Sequence, residues 1–422
     1  MNSTGFSKGD ILVPDVEDFT AWSVIACDQY TSQPQYWHEV ETLVKTKPST
    51  LNMIVPEINL NSEDLDQHIA AVNRAMRTYL RRHIFHEVHD YIYTRRTLSN
   101  GKVRHGLIGV VDLEQYEFHP GSKTTVRATE GVIHNRIEPR LTIREVAPLE
   151  VSHSMLLIDD RENTVFSFLE QELEQMQPLY SFQLMKDSGN ISGYLVTPEQ
   201  SERIDQALTA LASMEEMEKK YGITDKGTFV YAVGDGNNSL ATAKLHYDNL
   251  KRTLSEQKLQ NHPARYTLAE IVNIHDDSFD FEPINRVVFG VDTLNFLQHL
   301  GRVHNISFTP QERQQYFDCV IGEETRRIWI ADPSSNVVTG TVQNFIDHYI
   351  QEFSGKVDYV HGENIVRQLA VQVDNVGILF PSIPKESLFE TILIDGILPR
   401  KTFSMGQAMD KRFYLECRKI KP

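Results

Sequence analysis

The stretch "YAVGDGNNSLATAKLHY", Tyr231 to Tyr247, sets an apolar, β-prone run against a helical pattern with two glycines between them. Downstream, Leu240, Ala243, Tyr247 and Leu250 recur at the spacing of one helical face. A strand, a glycine-rich loop and a helix in that order make a ready anion site. The first-turn N–H groups of a helix have no intrahelical partner, and the helix dipole adds positive potential there. Gly234 and Gly236 let a ligand approach the backbone, while Asn237, Asn238 and Ser239 offer side-chain hydrogen bonds. The run is neither a P-loop, for which it lacks the lysine, nor a dinucleotide fingerprint, for which it lacks the third glycine. The other reading is a tight turn whose asparagine caps the helix. The spacing leaves both open, and it places the helix start near Ser239.

Working outward, strand and helix signals mingle along the whole chain. Pro34 opens a helix with Trp37, Val40 and Val44 on one face. A second follows Ser62 as N-cap, with Leu65, Ile69, Val72, Met76 and Leu80 at helical spacing. Two apolar stretches flank Asn100-Gly101 in "DYIYTRRTLSNGKVRHGLIGVVDL", a strong hairpin signal. "SMLLIDD" (154–160) and "YTLAEIVN" (266–273) read as strands, and 201–220 as one charged amphipathic helix with Ile204, Leu208, Leu211 and Met214 inward. Further on come a helix over 341–353 and the strand "NVGILF". The class is mixed, α/β or α+β, with no internal repeat.

The 422 residues give room for two or three domains. Their net charge of −16, from 42 Lys and Arg against 58 Asp and Glu, argues against a nucleic-acid partner. No apolar run reaches membrane-spanning length and the start lacks an apolar leader, so a cytoplasmic protein is expected. Cys27, Cys319 and Cys417 lie far apart, as expected of reduced thiols. Cys27 has no base nearby in sequence and reads as a buried small residue. "IHDD" (274–277) and "HEVHD" (86–90) lack an established metal-ligand spacing, which favours turn and helix-end roles.

The chain resembles the bacterial and archaeal family catalogued as domain of unknown function 1015. Where that family reads A-D-G-H-H-R between a strand and a helix, this chain reads Gly234-Asp235-Gly236-Asn237-Asn238-Ser239. "WSVIACDQYTSQPQYW" is similar to its N-terminal block, with Asp28 at the family's aspartate. "GLIGVVDLEQY" and "RATEGVIHNR" are similar to its central block, with Glu130 and Arg136 in place. "EPINR", with Asn285 and Arg286, stands for P-x-H-R, and "LPRKTF", with Lys401, for P-x-K-S/T. The loop also resembles that of the ParB/sulfiredoxin superfamily, which includes free-serine kinases and CTP-binding proteins. That resemblance implies a ParB/sulfiredoxin-like core with large helical and sheet elaborations. It also implies one site assembled from Asp28, Glu130, Asp235, Arg286 and Lys401.

The chain departs from the family at three cationic or titratable positions, now Asn237, Asn238 and Ser239, and at Asn285. Such changes shift a site from charge pairing toward neutral hydrogen bonding. Arg127, Arg136, Arg140 and Arg144 form a basic stretch suited to an anion, or to pairing with surface acids. The expected function is a phosphotransferase for a hydroxylated acid such as serine, using magnesium with ATP or ADP. Glu130 and Asp235 would supply metal or proton contacts. Asp28, Arg127, Arg136, Gly234, Gly236, Asn237, Asn238, Ser239, Asn285, Arg286 and Lys401 would bind substrate or nucleotide. The alternative is a regulatory protein that binds a nucleotide or metabolite without turning it over. The expected domains are 1–290, carrying the loop, and 291–422, returning "LPRKTF" to the site.

Overall fold

A computed structural model describes residues 4–26, 30, 33–60, 62–132, 134–279, 281–310, 314–399 and 401–422; of His134 and Asn135 it describes the backbone alone. Cys27, Asp28 and Arg400 lie outside the described residues. The fold mixes helices with several sheets, and the chain forms two compact units, 1–279 with 406–422, and 280–405.

The first unit is built on a ten-stranded sheet. Its strands are β1 (Phe6–Ser7), β2 (Ile92–Thr97), β3 (Val103–Asp112), β4 (Tyr116–Glu117), β5 (Val126–Ala128) and β6 (Met155–Ile158), followed by β7 (Gln177–Gln183), β8 (Asn190–Leu195), β9 (Tyr231–Asp235) and β10 (Tyr266–Asn273). They lie in the order β7-β8-β2-β3-β10-β6-β9-β5-β4, with β1 against β3. Most pairs are antiparallel, but β10–β6, β9–β5 and β5–β4 are parallel. The hairpin signal at Asn100-Gly101 becomes the β2–β3 turn. Gly101 alone takes positive φ (83°), and the loop closes from Leu98 to Lys102, one step wider than a two-residue turn.

Helices form where the apolar spacing places them, with local capping chemistry setting the ends. Helix α1 (Pro34–Val44) buries Tyr36, Trp37, Val40 and Val44. In α2 (Leu65–Arg81) the N-cap is Asp64, because the Ser62 hydroxyl instead donates to the Asn59 carbonyl and closes the turn before it. The expected helix over 201–220 divides in two. A Thr197–Gln200 capping box starts α4 (Pro198–Leu211), and the Ser213 side chain starts α5 (Met214–Tyr221). That restart turns Met214 to solvent and buries Met217 instead. Between these pairs lies α3 (His134–Val146), and after them comes α6 (Asn237–Thr253). Of "HEVHD", His86 to Val88 lie in a strand (Phe85–Val88) rather than at a helix end, and His89 and Asp90 follow it.

The last residues of the chain belong to the first unit because buried charge holds them there. Arg412 pairs with Glu270 of β10 at 2.6 Å and with Glu416 at 3.0 Å, all three nearly or fully buried. Thr94 donates to the same Glu270 and Tyr180 to Glu416. Arg96 and Arg104, opposite each other on β2 and β3, donate to the backbone carbonyls of Met409, Asp410 and Lys411. Cys417 follows in a small four-stranded sheet, buried with its thiol pushed well up by burial.

In the second unit a six-stranded antiparallel sheet has helices Thr293–His304 and Val338–Phe353 on one face and Glu363–Ala370 on the other. The second of these helices begins three residues before the sequence pattern suggests, since Val338 is also buried.

Removing Arg412 leaves two carboxylates buried without their cation. Arg412→Met is expected to cost the first unit about 3–5 kcal/mol in urea unfolding. Arg326→Ala, which breaks an exposed pair with Glu324, should cost under about 1 kcal/mol.

Candidate functional site

The quoted stretch resolves into strand, one turning residue and helix. Gly234 and Asp235 remain in β9, because Asp235 still pairs with Met155 of β6. Gly236 makes the whole turn at φ 85°, and α6 begins at Asn237, two residues before Ser239. A Cβ at Gly236 would lie 3.0 Å from Ser154 and in a disfavoured conformation, so the position demands glycine on two counts. All six residues from Gly234 to Ser239 are half-buried, and they are neither locked in continuous strand nor sealed under apolar packing.

The neighbouring strand β5 runs parallel to β9, with Ala128 opposite Val233. Counting on from that pair sets Glu130 as far past the end of β5 as Asp235 lies past Val233. Both carboxylates therefore belong to the carboxyl edge of one parallel pair, the edge at which open α/β sheets commonly bind ligands. Asn237 ties this edge together. Its Oδ1 accepts from the Thr129 N–H at 3.3 Å, and its Nδ2 donates to the Thr129 hydroxyl and the Val233 carbonyl. The Asn237 amide is thus committed to the protein, and what it can still offer a ligand is its backbone N–H. Asn238 and Ser239 follow in the first turn, and the Asn238 carbonyl accepts from Thr242.

Several basic residues expected at the site serve other ends. Arg127 is buried, its guanidinium donating to the carbonyls of Thr124 and Lys226 and stacking on Phe229. Those carbonyls precede β5 and β9, so the group lies at the opposite end of the strands from the loop. Burial lowers its pKa to about 10. On α3, Arg140 pairs with Glu57 and donates to the Arg136 carbonyl, while Arg144 pairs with Glu150 at 2.7 Å. Arg136 is half-buried on the same helix.

Asn285, Arg286 and Lys401 belong to the second unit. There Asn285 accepts from the Phe380 N–H, and Arg286 is fully buried, bonded to Gln343 and the Ile284 carbonyl and stacked on Tyr359. These carbonyls and rings, rather than a ligand, occupy the Arg286 guanidinium. Lys401 is half-buried in a turn at φ 58°.

Two site residues went unread in the sequence. Lys411 brings its ammonium to 3.9 Å from Asp235, and His153 Nε2 lies 3.2 Å from the Ser239 hydroxyl. His153 also meets the Tyr414 ring edge-on. Burial pushes the His153 imidazole down, aided by Arg140 and Arg412 and opposed by Asp235 and Glu57. The tautomer of the ring decides which of the two, Ser239 Oγ or Nε2, donates in this bond. This pair borders a cavity of about 150 Å³ between α3, the start of β6 and the first turns of α6.

In the two stretches weighed as metal sites, charged side chains meet partners from elsewhere in the chain. His275 of "IHDD" lies 2.6 Å from Asp159, which also accepts from Tyr221. Burial pushes the Asp159 carboxyl up, but these bonds, with Lys220 and Arg161, hold it at about 2. Glu87 and His89 come together with Asp10 at the surface, where His89 bonds Asp10 and Lys419 pairs with Glu87.

The chain belongs to the family described as protein of unknown function (DUF1015), whose model matches residues 12–349. A comparison with the curated proteins found no match. Among solved structures, the chain is similar to a free serine kinase in complex with AMP at 11% identity and a TM-score of 0.39, covering 74% of this chain and 91% of that one. It is also similar to SbnI with a C-terminal truncation from Staphylococcus aureus (8%, TM-score 0.37, 71% and 82% covered). A conserved hypothetical protein from Pyrococcus furiosus matches at 10%, with a TM-score of 0.36 over 72% and 93% of the two chains. Among the described residues no helix is long and apolar enough to cross a membrane.

Helix α6 also carries His246, which is buried, and its stability is tied to pH. Burial first, then Arg144, His262 and Lys421, lower the His246 pKa from 6.5 to about 4. The unfolded chain therefore binds this proton more readily. The stability it withholds is absent above pH 6.5, grows as pH falls toward 4, and amounts to roughly 3 kcal/mol below that. Urea unfolding of His246→Gln should show a correspondingly smaller loss between pH 7 and pH 4 than the parent protein. Identical losses would remove His246 as the source.

Proposed function

We propose that the protein binds a nucleotide or phosphorylated metabolite with its phosphate at the amino end of α6. The observation that carries this reading is the turn at Gly236. A single left-handed glycine brings the half-buried first turn of a seventeen-residue helix to the carboxyl edge of a parallel strand pair. Its backbone N–H groups and dipole favour an anion, and Lys411 adds a cation beside Asp235. In a protein of net charge −16, an anionic ligand requires local donors and cations of this kind.

The finer reading is a cytoplasmic small-molecule phosphotransferase with a ParB/sulfiredoxin-like core. It transfers phosphate between ATP or ADP and a hydroxylated acid such as serine. Glu130 and Asp235 hold magnesium or manage the proton, and the amides of Asn237, Asn238 and Ser239 hold phosphate. Arg136, half-buried on α3, completes the site in the family pattern. The commitment of the Asn237 amide to Thr129 and Val233 favours a second reading, a regulatory protein that binds the same ligand without turnover.

Calorimetric titration with ATP and ADP, with and without magnesium, tests binding. Lys411→Ala is expected to weaken it about tenfold, the effect of losing one charge-assisted contact, and Gly236→Val to abolish it. Unchanged affinity in both variants removes the phosphate from this helix. A hydroxy-acid screen for phosphorylated product then separates the enzyme from the regulator.

A further inference from the structure

The cavity beside Ser239 has two unlike walls. One is apolar, with Met53, Ile54, Leu60, Met76, Ile143 and Leu149 among its residues. The other is polar, but most of its groups are already spent. Arg140 is matched by Glu57, while Arg144 shares Glu150 with Arg418 and keeps its buried Nε and Nη2 groups without a partner among the described residues. Glu150 also accepts from the Thr267 hydroxyl and the Leu268 N–H. The Ser152 hydroxyl donates to the Leu268 carbonyl, and that of Thr242 to Asn238. The lining side chains themselves balance two cations against two anions, beside one histidine. Hydrogen bonding is on offer at the Ser239–His153 pair, 3.2 Å apart, where the serine oxygen keeps a lone pair for another donor whichever of the two groups donates.

The volume sets the size of the part of a ligand that enters. A cavity of about 150 Å³ accommodates a benzene-sized ring. We infer that this cavity is a binding site for a compact, uncharged, ring-sized molecule or substituent bearing one hydroxyl. The apolar body packs on Met53 and Met76, and the hydroxyl donates to Ser239 Oγ, extending the chain to His153. This site goes beyond the phosphate reading and stands without it, although Ser239 belongs to both.

Phenol and toluene are the probes, alike in size and differing by the hydroxyl. In protein labelled at the methionine methyl groups, ten methionines give the readout. Phenol is expected to shift the Met53 and Met76 methyls saturably, leaving the others in place, and to bind at least tenfold more tightly than toluene. In the Ser239→Ala/His153→Phe double variant, whose methionine spectrum also reports its fold, the two probes should bind alike. Absence of any shift at Met53 and Met76 in the parent protein overturns the site, as does a shift spread over all the methionines. Equal binding of the two probes to the parent protein overturns the role of the Ser239–His153 pair. Failure of ADP to bind while phenol still shifts Met53 and Met76 would sink the phosphate reading alone.

Discussion

A single side-chain amide spans the ends of two parallel strands. Asn237 holds Thr129, just past β5, and Val233, inside β9, with three hydrogen bonds. Because Asn237 is also the first residue of α6, those bonds fix where the helix starts and how its amino end meets the sheet edge. Glu130 and Asp235 follow from the same constraint, since each lies at a strand end that the amide draws together. Ser239 is then carried round the first turn toward His153 and the cavity. An asparagine that resembles a ligand-binding residue by its place in the motif thus acts here as the clasp that builds the site.

Beneath that edge lies a second constraint, the buried charge around Arg412. It joins β10 through Glu270 to the chain's final segment, and Arg96 and Arg104 hold the backbone just ahead of it. Lys411 and Tyr414 are delivered to the site by this arrangement, one beside Asp235 and the other against His153. Burying ionic groups is costly unless every charge is paired. Here Arg412 meets Glu270, and Arg96 and Arg104 meet backbone carbonyls, in contacts between residues 142 to 315 apart in sequence.

Much of the local structure was legible, because it rests on short-range physics. Pro34 and the spacing of Trp37, Val40 and Val44 announce α1, and Asn100-Gly101 announces the β2–β3 turn. Strand β9, its glycine turn and α6 follow from apolar period and glycine placement, with the helix start missed by two residues because one glycine suffices for the turn. The mixed class is evident from the alternating periods. Sheet order is not, since pairing β10 with β6 and β9 with β5 depends on contacts between distant strands. For the same reason nothing in "VRATEGVIHNR" tells that Arg127 turns back to Thr124 and Lys226, and nothing in "EPINR" that Arg286 is enclosed by Gln343 and Tyr359. An arginine bonded to carbonyls and one poised for phosphate look alike in sequence. His153 and Lys411 carried no motif at all, and only the fold brings them to Ser239 and Asp235.

The central claim is that the amino end of α6 is where a phosphate group sits. Crystals of the protein grown with ADP and magnesium test it most directly. The account predicts a phosphate within hydrogen-bonding reach of the backbone N–H groups of Asn237, Asn238 or Ser239, beside the Gly236 turn. Well-ordered ADP whose phosphates lie elsewhere, with those N–H groups facing only water, would contradict it.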